Sequence, residues 1–393
     1  MRILMAAPLL PHPAATAGGA LVFFGLIEAL ARHHEVTLVC FVGASAADRE
    51  GLDALARLGV AVRPVRRESS RGAAVVRRRA VLAVRWLAGR DPLRALKFCD
   101  SRIQAALDQA VHDEAILGRR FDLVQVEDSA MGQYRYPGGI PSVLTEHEVR
   151  VPDQTSWLEA ERWERYQRAV WRRFDRLQVF TERDAAGLRR LAPDLAGRVR
   201  VNPFGVSLGP APEAAAERED ELVFVGGFRH PPNVDAACWL AREIFPLVLA
   251  RREGARLTIV GADPPQTVRG LASDRVTVTG FVPDVEPFLA RAAVVVAPLR
   301  TGGGMRVKLL QALARGKAVV TTSLGAEGLC TGAPLLVAGS APAVAEAVAA
   351  LLADAETRRS LGRRARAYVA EHHTWSGFAS RLAAIYRELG LEA

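Results

Sequence analysis

The chain has 393 residues, of which 50% are hydrophobic and 24% charged, and its formal net charge is +9. Because a domain commonly holds roughly 100–200 residues, this length predicts two domains. The apolar content is high enough to build a buried core, which excludes a disordered chain. No run approaches the roughly 18 apolar residues that span a bilayer, so the sequence predicts no membrane-spanning helix.

The first residues, MRILMAAPLLPHP, are interpreted as a buried strand that runs into a loop. Pro8, Pro11 and Pro13 interrupt the apolar stretch, which disfavours a signal peptide. The cysteines are far apart in the sequence and show no metal-ligand spacing, which predicts free thiols in a reducing compartment. They are Cys40, Cys99, Cys238 and Cys330. We therefore expect a cytoplasmic protein.

In the first half, short apolar runs alternate with helix-length segments, which is typical of a parallel sheet with helices on both faces. The predicted strands are Arg2–Ala6, Glu35–Phe41, Asp122–Val126, Ser142–Thr145 and Arg176–Phe180. Helices are predicted over Ala20–Arg32 and near Ser156–Arg173. The alternation stops at Asn202–Gly205 and the segment GPAPEAAAERED, which predicts a linker.

The alternation then restarts in the second half. The predicted strands are Glu221–Val225, Arg256–Val260, Arg275–Thr279, Ala293–Ala297 and Ala318–Thr322. Helices are predicted near Val234–Arg252, Val285–Arg291, Val307–Arg315 and Pro342–Ala353. We thus predict two doubly wound Rossmann-like domains, over 1–205 and 206–374, that face each other across a cleft. A last helix within 375–393 is expected to cross back to the first domain.

The segment most informative about function follows the strand Ala293–Ala297. A glycine run leads into a helix that begins near Arg306, with Lys308 in its first turn. A cation there is unfavourable by about 0.3–1 kcal/mol, because it faces the positive end of the helix dipole. An anion bound between the two cations would make their position favourable, which predicts a diphosphate site. The alternative is a surface turn with two solvated cations.

Two further strand–glycine–helix segments have the same pattern. Gly226 and Gly227 follow the strand ELVFV, with Arg229 able to reach a phosphate and Asn233 as the expected N-cap of the next helix. A purely structural turn is an equal alternative for this loop. Gly18–Gly19 precede the helix Ala20–Arg32 and predict another anion site, without a full dinucleotide fingerprint.

Polar residues also follow two strands of the first half. His147 lies between Glu146 and Glu148 after one strand, and Glu127 with Asp128 ends another. Carboxyl ends of parallel strands share one edge of a sheet, so these groups are candidates to bind a polar substrate. Glu127 and Glu146 are expected on the acceptor side. A structural histidine is the alternative for His147.

Several segments, in this order, resemble bacterial glycosyltransferases of family 4. Besides the Gly18–Gly19 loop, they are TEHEVR (145–150), FTERDA (180–185), VNPFGV (201–206), FVGGFRHPPNVDA (224–236), VTGFVPDVEPFL (278–289), APLRTGGGMRVKLLQALARGKAVVTT (297–322) and GAEGL (325–329). The resemblance implies the GT-B fold and retaining transfer of a sugar from a nucleoside diphosphate donor. It implies no cofactor and no obligatory metal, since cations and helix ends would hold the diphosphate.

The resemblance also implies roles for individual residues. The catalytic group would be His147, Arg306 and Lys308, with His147 contacting the donor sugar. The donor-binding residues would be Gly18, Gly19, Gly227, Phe228, Arg229, Phe281, Val282, Gly303, Gly304, Met305 and Gln311. Phe281 and Val282 match the loop whose backbone holds the base. The acceptor would be a glycan, a lipid-linked molecule or a small molecule.

One departure from the family concerns two glutamates that its members often carry near the phosphate helix. The corresponding residues here are Gly303 and Gln311. Gln311 is able to hydrogen-bond ribose hydroxyls, whereas Gly303 cannot replace a carboxylate. A front-face reaction, in which the departing diphosphate assists the acceptor hydroxyl, needs only Arg306, Lys308 and the helix end. The alternative function is a sugar-nucleotide-binding module that has lost catalysis.

The positive charge is concentrated between residues 63 and 90, where nine arginines accompany one glutamate. Arg71, Arg78 and Arg85 recur every seven residues and would form one stripe of a helix. Such a helix could lie on the inner face of an anionic membrane, near a lipid-linked acceptor. A solvated arginine-rich helix is the alternative. Nucleic-acid binding is disfavoured, because Trp86 is the one aromatic residue in this stretch.

Overall fold

The computed structural model describes residues 1–13, 18–67, 73–149, 156–209, 217–302 and 306–392. They form two compact units. The N-terminal unit holds most of residues 1–203 together with Phe378–Ala393, and the C-terminal unit holds Phe204–Gly377. The sequence predicted domain limits at 205 and 374, whereas the units change over at Pro203–Phe204 and at Gly377–Phe378.

The N-terminal unit contains one parallel sheet of seven strands in the order β3-β2-β1-β4-β5-β6-β7. The strands are β1 (Arg2–Ala7), β2 (Glu35–Val42), β3 (Ala61–Arg66), β4 (Leu123–Glu127), β5 (Ser142–Glu146), β6 (Arg176–Val179) and β7 (Val199–Val201). The sequence did not predict β3 and β7, which form the two edges of the sheet. β3 is mostly exposed and contains Pro64, so it lacks the apolar run that marks a central strand.

The helices of this unit are α1 (Gly18–Ala31), α2 (Ala46–Arg57), α3 (Ala73–Ala88), α4 (Leu93–Leu96), α5 (Ser101–Ile116), α6 (Trp157–Trp171) and α7 (Glu182–Leu191). Four of them, α2, α5, α6 and α7, begin at polar N-caps. Ser156 caps α6, and Thr181 caps α7 by accepting a hydrogen bond from Asp184 N at 3.0 Å. Such a cap contributes about 1 kcal/mol. Buried Trp171 and Leu177 belong to the core on which these helices pack.

The C-terminal unit contains a second parallel sheet, of six strands in the order β10-β9-β8-β11-β12-β13. The strands are β8 (Glu221–Val225), β9 (Arg256–Val260), β10 (Val276–Val278), β11 (Val294–Ala297), β12 (Ala318–Thr321) and β13 (Leu336–Val337). The two-residue strand β13 was not predicted, because it is too short to show a pattern. Fully buried Leu222, Phe224 and Val296 lie at the centre of the core, and each such side chain stabilises the fold by about 1.5–3 kcal/mol.

Helices cover both faces of this sheet. They are α8 (Pro231–Trp239), α9 (Phe245–Leu249), α10 (Gln266–Arg269), α11 (Glu286–Arg291), α12 (Val307–Ala314), α13 (Ser323–Ala326), α14 (Ala341–Ala353) and α15 (Ala355–His372). A π-helical segment, Leu240–Ile244, joins α8 to α9. The prediction of two doubly wound α/β units is thus confirmed. The predicted cleft between them stays a prediction.

The last helix, α16 (Trp375–Arg387), packs on the N-terminal unit from Phe378 onwards. Asn202 Nδ2 donates to Phe378 O at 3.3 Å, and Arg381 Nε donates to Asn202 Oδ1 at 2.9 Å. Beyond the helix end, Glu388 forms ion pairs with Arg176 at 3.0 Å and Arg200 at 2.7 Å. The end of the chain is therefore a structural part of the N-terminal unit.

Both sheets reverse their strand order at one point. In the N-terminal unit β1 lies beside β4, and in the C-terminal unit β8 lies beside β11. In open α/β sheets, ligands bind outside the carboxyl ends of the strands at such a switch point. The loops that follow these four strands are therefore the places where a site is expected.

Candidate functional site

In the C-terminal unit, the loop after β8 is packed tightly against the loop after β9. Gly226 N donates to Val260 O at 2.9 Å, and a Cβ on Gly261 would lie 1.9 Å from Gly226 O. No side chain fits there, so Gly261 has to be a glycine. The backbone of residues 226–230 is held at the carboxyl edge of the sheet by these contacts.

The helix after this loop begins earlier than predicted. Pro231 and Pro232 occupy its first positions, and His230 is at the N-cap, so the expected cap role of Asn233 is wrong. Proline is favoured in the first turn because its fixed φ suits the helix and its missing N–H is not needed there. Asn233 instead donates from Nδ2 to Gly227 O at 2.7 Å. Its side chain fixes the glycine loop.

Asn233 also binds the cationic end of α12. Its Oδ1 accepts a hydrogen bond from Lys308 Nζ, which lies 5.1 Å from the centre of the Phe224 ring. Arg306 occupies the N-cap position of α12 and is 7% exposed. The two cations therefore flank the first turn of α12, after β11, and Lys308 is linked through Asn233 to the loop after β8.

The electrostatics of this end favour an anion. Burial, and then the charge of Arg306, lower the pKa of Lys308 to about 7. Burial, and then the charges of Lys308 and Arg306, lower the pKa of His230 as well. Positive groups are thus close enough to weaken one another's protonation, which an anion bound at the helix end would relieve. His230 and Asn233 were missed as site residues because neither belongs to a recognisable anion motif.

Other predicted donor-binding residues occupy different environments. Phe228 is 5% exposed in the core, and its amide donates to Ala262 O at 3.0 Å, which does not fit a ligand contact. The Arg229 side chain is 86% exposed, and its guanidinium pairs with Asp263 at 2.7 Å. Phe281 is 64% exposed in the loop after β10, next to half-buried Val282.

Gln311 is half-buried on α12, one turn after Lys308. The predicted contacts of Gly303, Gly304 and Met305 lie outside the described residues. The loop after β11 is anchored beside that segment, because Arg300 pairs with Asp235 of α8 at 2.6 Å and stacks on Trp239. Two separate contacts, through Arg300 and through Lys308, therefore fix this part of the site to α8.

In the N-terminal unit, His147 lies just after β5 and is held by Glu127 at the end of β4. His147 Nε2 is 2.8 Å from Glu127 Oε2, and Phe23 and Phe180 contact the imidazole edge-on at ring distances of 4.5 and 4.9 Å. An ionised carboxylate only accepts hydrogen bonds, so the proton belongs on Nε2. Nδ1 is then the ring nitrogen available to a ligand.

Glu127 is itself fixed by a polar network inside the sheet. It is 0% exposed, and its Oε1 accepts from Gln125 Nε2 and Thr145 Oγ1, each at 2.9 Å. Gln178 Nε2 donates to Thr145 Oγ1 at 3.3 Å, and Asn202 Nδ2 donates to Gln178 Oε1 at 3.1 Å. This chain of side chains crosses four neighbouring strands from β4 to the end of β7. It holds the carboxylate in one orientation behind His147.

Glu146 points away from solvent. It is 1% exposed, and its Oε2 accepts from Trp171 Nε1 at 2.9 Å and from the Ser129 hydroxyl. Burial, and then the charge of Asp128, raise the pKa of Glu146 to about 7. Glu127 and Glu146, predicted on the acceptor side, are both buried, so neither side chain is exposed to a ligand from solvent. Glu127 is placed to act through His147, and Glu146 stabilises the packing of Trp171.

Asp128 has a positive φ of 74° directly after β4, which is unusual for a residue with a side chain. Its Oδ1 accepts from Ala130 N at 2.8 Å, and Arg94 Nη2 donates to its Oδ2 at 2.9 Å. Burial opposes the ionisation of Asp128, but Arg94 and the Ala130 amide keep its pKa below the usual range. The ion pair therefore fixes a strained turn at the switch point.

The helix α1 begins at Gly18, after the loop that follows β1. Among the described residues, a Cβ on Gly19 would meet nothing within 4 Å. Phe23, in the second turn of α1, contacts His147. The second turn of α1 therefore lies at the His147 edge of the N-terminal sheet.

The predicted basic helix exists as α3, although Arg71 and the Arg78 side chain lie outside the described residues. Three apolar side chains of α3 are exposed at helical spacing, namely Val76 by 69%, Val84 by 63% and Leu87 by 72%. Within the described parts of the chain, no helix is long and apolar enough to cross a membrane. These three side chains lie on one face of α3 that Arg77 and Arg79 flank, whereas Arg85 of the predicted stripe lies on the opposite side.

The described residues contain four free cysteines, of which Cys99 is exposed and Cys40 buried. Burial, and then Asp48, raise the pKa of the Cys40 thiol to about 12. Across the described ranges, no group of three or more His, Cys, Asp and Glu side chains is arranged to hold a metal ion.

Comparisons with known proteins show that part of the chain is similar to glycosyltransferases. Residues 219–354, most of the C-terminal unit, match the family model described as Glycosyl transferases group 1. A GDP-mannose-dependent alpha-(1-6)-phosphatidylinositol monomannoside mannosyltransferase of Mycobacterium tuberculosis is 34% identical over 167 residues, which is 36% of this chain. The match spans 42% of the length of that relative.

Solved structures resemble the whole chain. Anabaena Alr3699/HepE in complex with UDP and glucose aligns with a TM-score of 0.70 at 13% identity, over 98% of this chain and 99% of its own. WaaG, a glycosyltransferase involved in lipopolysaccharide biosynthesis, aligns with a TM-score of 0.64 at 14% identity, over 98% of this chain and 99% of its own. The two α/β units are thus those of the GT-B fold.

Proposed function

We propose that this protein is a retaining glycosyltransferase that moves a hexosyl group from a nucleoside diphosphate donor to an acceptor hydroxyl. The observation that carries the proposal is the cationic end of α12. Arg306 and Lys308 lie at the switch point of the C-terminal sheet, inside the segment that matches Glycosyl transferases group 1. A diphosphate is the ligand that this combination of helix end and buried cations favours.

The donor would be held by three parts of the C-terminal unit. Arg306, Lys308 and the first amides of α12 bind the diphosphate, and their attraction grows as negative charge develops on the leaving group. Gln311 hydrogen-bonds the ribose hydroxyls, and the loop with Phe281 and Val282 binds the base. In a front-face reaction the acceptor hydroxyl loses its proton to the departing diphosphate. The C–O bond to the acceptor forms on the face from which the diphosphate leaves.

His147 would bind the donor sugar. Its Nε2–H donates to Glu127 Oε2. This hydrogen bond orients the imidazole ring, and the carboxylate stabilises a positive charge on that ring. Nδ1 is then able to accept a hydrogen bond from a sugar hydroxyl, or to donate one when the ring is protonated. Glu127 is a positioning residue in this scheme, since its own oxygens are fully used.

The diphosphate would need no metal, because Arg306, Lys308 and the dipole of α12 supply the positive charge. Transfer is therefore expected to persist in a chelator. Loss of activity in chelator, with recovery on addition of manganese or magnesium, would contradict this part of the proposal.

The first experiment is a thermal-shift screen across nucleotide sugars, because a ligand of the native state raises the unfolding midpoint by mass action. The donor that shifts the midpoint is then incubated with acceptor pools, and the anomeric configuration of the product is read by NMR. Retention of the donor configuration supports the proposal, and inversion refutes the retaining mechanism. Donor binding without turnover on any acceptor would favour the alternative, a binding module that has lost catalysis.

A second component of the proposal is peripheral contact of α3 with an anionic membrane surface, which would bring the N-terminal unit to a lipid-linked acceptor. Its exposed Val76, Val84 and Leu87 suit insertion among headgroups, and neighbouring arginines suit anionic lipid. The test is sedimentation with vesicles that contain phosphatidylglycerol, at low and high salt.

Leu87→Ser is expected to weaken this sedimentation, whereas Ile116→Ser, which removes an apolar side chain of similar exposure on α5, is the control. Replacing Arg71, Arg78 and Arg85 together by Gln is expected to abolish it. Protein that stays in the supernatant at low salt would refute membrane contact and point to a soluble acceptor.

A further inference from the structure

The N-terminal unit contains a cavity of about 540 Å³ that is separate from the His147 edge. It lies among α3, α4, the start of α5 and the end of the β2–β3 pair. The lining residues are Phe41, Arg67, Arg77, Val81, Leu82, Arg85, Leu96, Lys97, Cys99, Asp100, Ser101 and Arg102. Its volume is that of a site for a small molecule or a headgroup, since such sites measure about 300–1,000 Å³.

The described lining is strongly positive. Five of its side chains are cationic, namely Arg67, Arg77, Arg85, Lys97 and Arg102, and one, Asp100, is a carboxylate. These cations come from four separate segments of the chain, so the fold and not a single basic run brings them together. Like charges around one concave surface repel each other, and an anion within it would convert this repulsion into attraction.

The single carboxylate is already used. Asp100 Oδ1 caps α5 by accepting from Arg102 N at 3.0 Å, and Asp100 Oδ2 pairs with Arg102 Nη2 at 2.6 Å. Arg67 is held in place as well, with its guanidinium 4.7 Å from the Phe41 and Phe98 ring centres and bonded to Pro8 O at 3.1 Å. Two of the guanidinium groups that line the cavity, those of Arg67 and Arg102, are thus held in place by these contacts, and a guanidinium suits the planar recognition of phosphate oxygens.

The rest of the lining is apolar. Phe41, Leu82 and Leu96 line the interior, and Val81, which is 51% exposed, lies on α3 near the exposed residues of that helix. A ligand that filled this cavity would thus combine an anionic group with a carbon skeleton. An inorganic ion would satisfy the charges and leave the apolar surface in water.

We infer that this cavity binds a phosphate ester, and that it holds the phosphate group of the acceptor. The assignment to an acceptor rests on the proposed function, whereas binding of the ester does not. The ester can come from a phospholipid headgroup or from a soluble sugar phosphate, since the recognising groups are the same for both.

The test uses Cys99, an exposed residue that lines the cavity. Its Sγ lies 3.4 Å from Arg85 Nη2. The full-length protein is alkylated with iodoacetamide in the presence of dihexanoyl phosphatidate below its micelle concentration, or of glucose 6-phosphate. Dihexanoylglycerol and glucose are the matched compounds without phosphate. Mass spectrometry of the Cys99 peptide gives the alkylation rate, with the buried Cys40 as an unreactive reference.

At least one phosphate ester is expected to slow Cys99 alkylation fivefold or more at saturation, and its dephosphorylated counterpart is not. Protection by phosphatidate alone identifies a lipid source, and protection by glucose 6-phosphate alone a soluble one. In the double variant Arg77→Gln, Lys97→Gln, half-protection should need about tenfold more ester, because charge-assisted contacts are lost. Arg190→Gln, at an exposed position of α7, removes one charge outside the cavity and should leave the half-protecting ester concentration unchanged.

No protection by either ester, or equal protection by the compounds without phosphate, would overturn the inference. Nucleotide-sugar binding is measured by thermal shift on the same samples. If the protein binds nucleotide sugars but neither ester protects Cys99, the cavity assignment is refuted and the proposed function is not. Protection of Cys99 in a protein that binds no nucleotide sugar refutes the proposed function and leaves the phosphate site standing.

Discussion

At the carboxyl edge of the C-terminal sheet, Lys308 has neutral partners: it donates a hydrogen bond to the amide oxygen of Asn233 and lies over the Phe224 ring. At the corresponding edge of the N-terminal sheet, two acidic side chains each bind a basic side chain. Glu127 binds His147, and Asp128 pairs with Arg94. A ligand anion would bring Lys308 a counter-charge, whereas Glu127 and Asp128 already bind basic side chains of the protein. Ligand charge should therefore matter most in the C-terminal unit, and hydrogen-bond geometry in the N-terminal unit.

The largest effect is expected from removing the charge at α12. Lys308→Met or Arg306→Ala should cost about 2–4 kcal/mol of transition-state stabilisation, which is roughly 30-fold to 1,000-fold in kcat/KM. Arg269→Ala, which removes an exposed cation on α10, is the control. Initial rates with the donor found in the screen give the comparison. Unchanged rates in both site variants, with folding intact by circular dichroism, would show that these cations do not hold the diphosphate.

A smaller loss of activity is expected when His147 loses the Glu127 carboxylate. Glu127→Gln should lower kcat about tenfold to a hundredfold, because a hydrogen bond to a charged group contributes about 1.5–3 kcal/mol. Donor affinity should change little, which separates this variant from those at α12. The ring nitrogen shifts of His147 in ¹⁵N NMR would show the loss of the fixed tautomer. Glu161→Gln, on the exposed side of α6, should match the wild type.

The pH dependence of donor binding is a further test of the role of charge at the C-terminal edge. The pKa of Lys308 is about 7 without ligand, and a bound diphosphate should raise it, since it favours the protonated amine. As pH rises above 7, an increasing share of the protein must take up a proton to bind. Affinity should therefore fall by up to about tenfold per pH unit above 7 and stay flat below it. Lys308→Arg should remove this slope in titration calorimetry, and a slope that persists in that variant would assign it to another group.

The smallest effect is expected at Phe281, whose exposed ring lies in the loop after β10. If the base of the donor stacks there, Phe281→Ala should weaken donor binding by about 0.5–1.5 kcal/mol, or roughly twofold to tenfold. Val337→Ala, at a similarly exposed position, is the control. Equal donor affinity in both variants would show that the Phe281 ring does not bind the base, and that the backbone of the loop does.

The sequence predicted the central strands of both sheets and the start of α12, because long apolar runs and a glycine-to-helix transition are local signals. It did not predict the role of Asn233, whose two contacts reach Gly227 and Lys308. It also did not predict the network through Gln125, Thr145 and Gln178. Polar residues inside buried strands have no periodic signature, and these three meet only because β4, β5 and β6 pair in one register.

Tyr386, on the last helix, extends that network to the end of the chain. Its hydroxyl donates to Gln125 Oε1 at 3.1 Å, across 261 positions of sequence. Gln125 in turn holds the carboxylate behind His147. During translation β4 and β5 leave the ribosome long before residue 386 does, so the network behind His147 lacks the Tyr386 contact until α16 has been synthesised. A nascent chain that has not reached α16 would thus carry His147 without the full support of its positioning carboxylate.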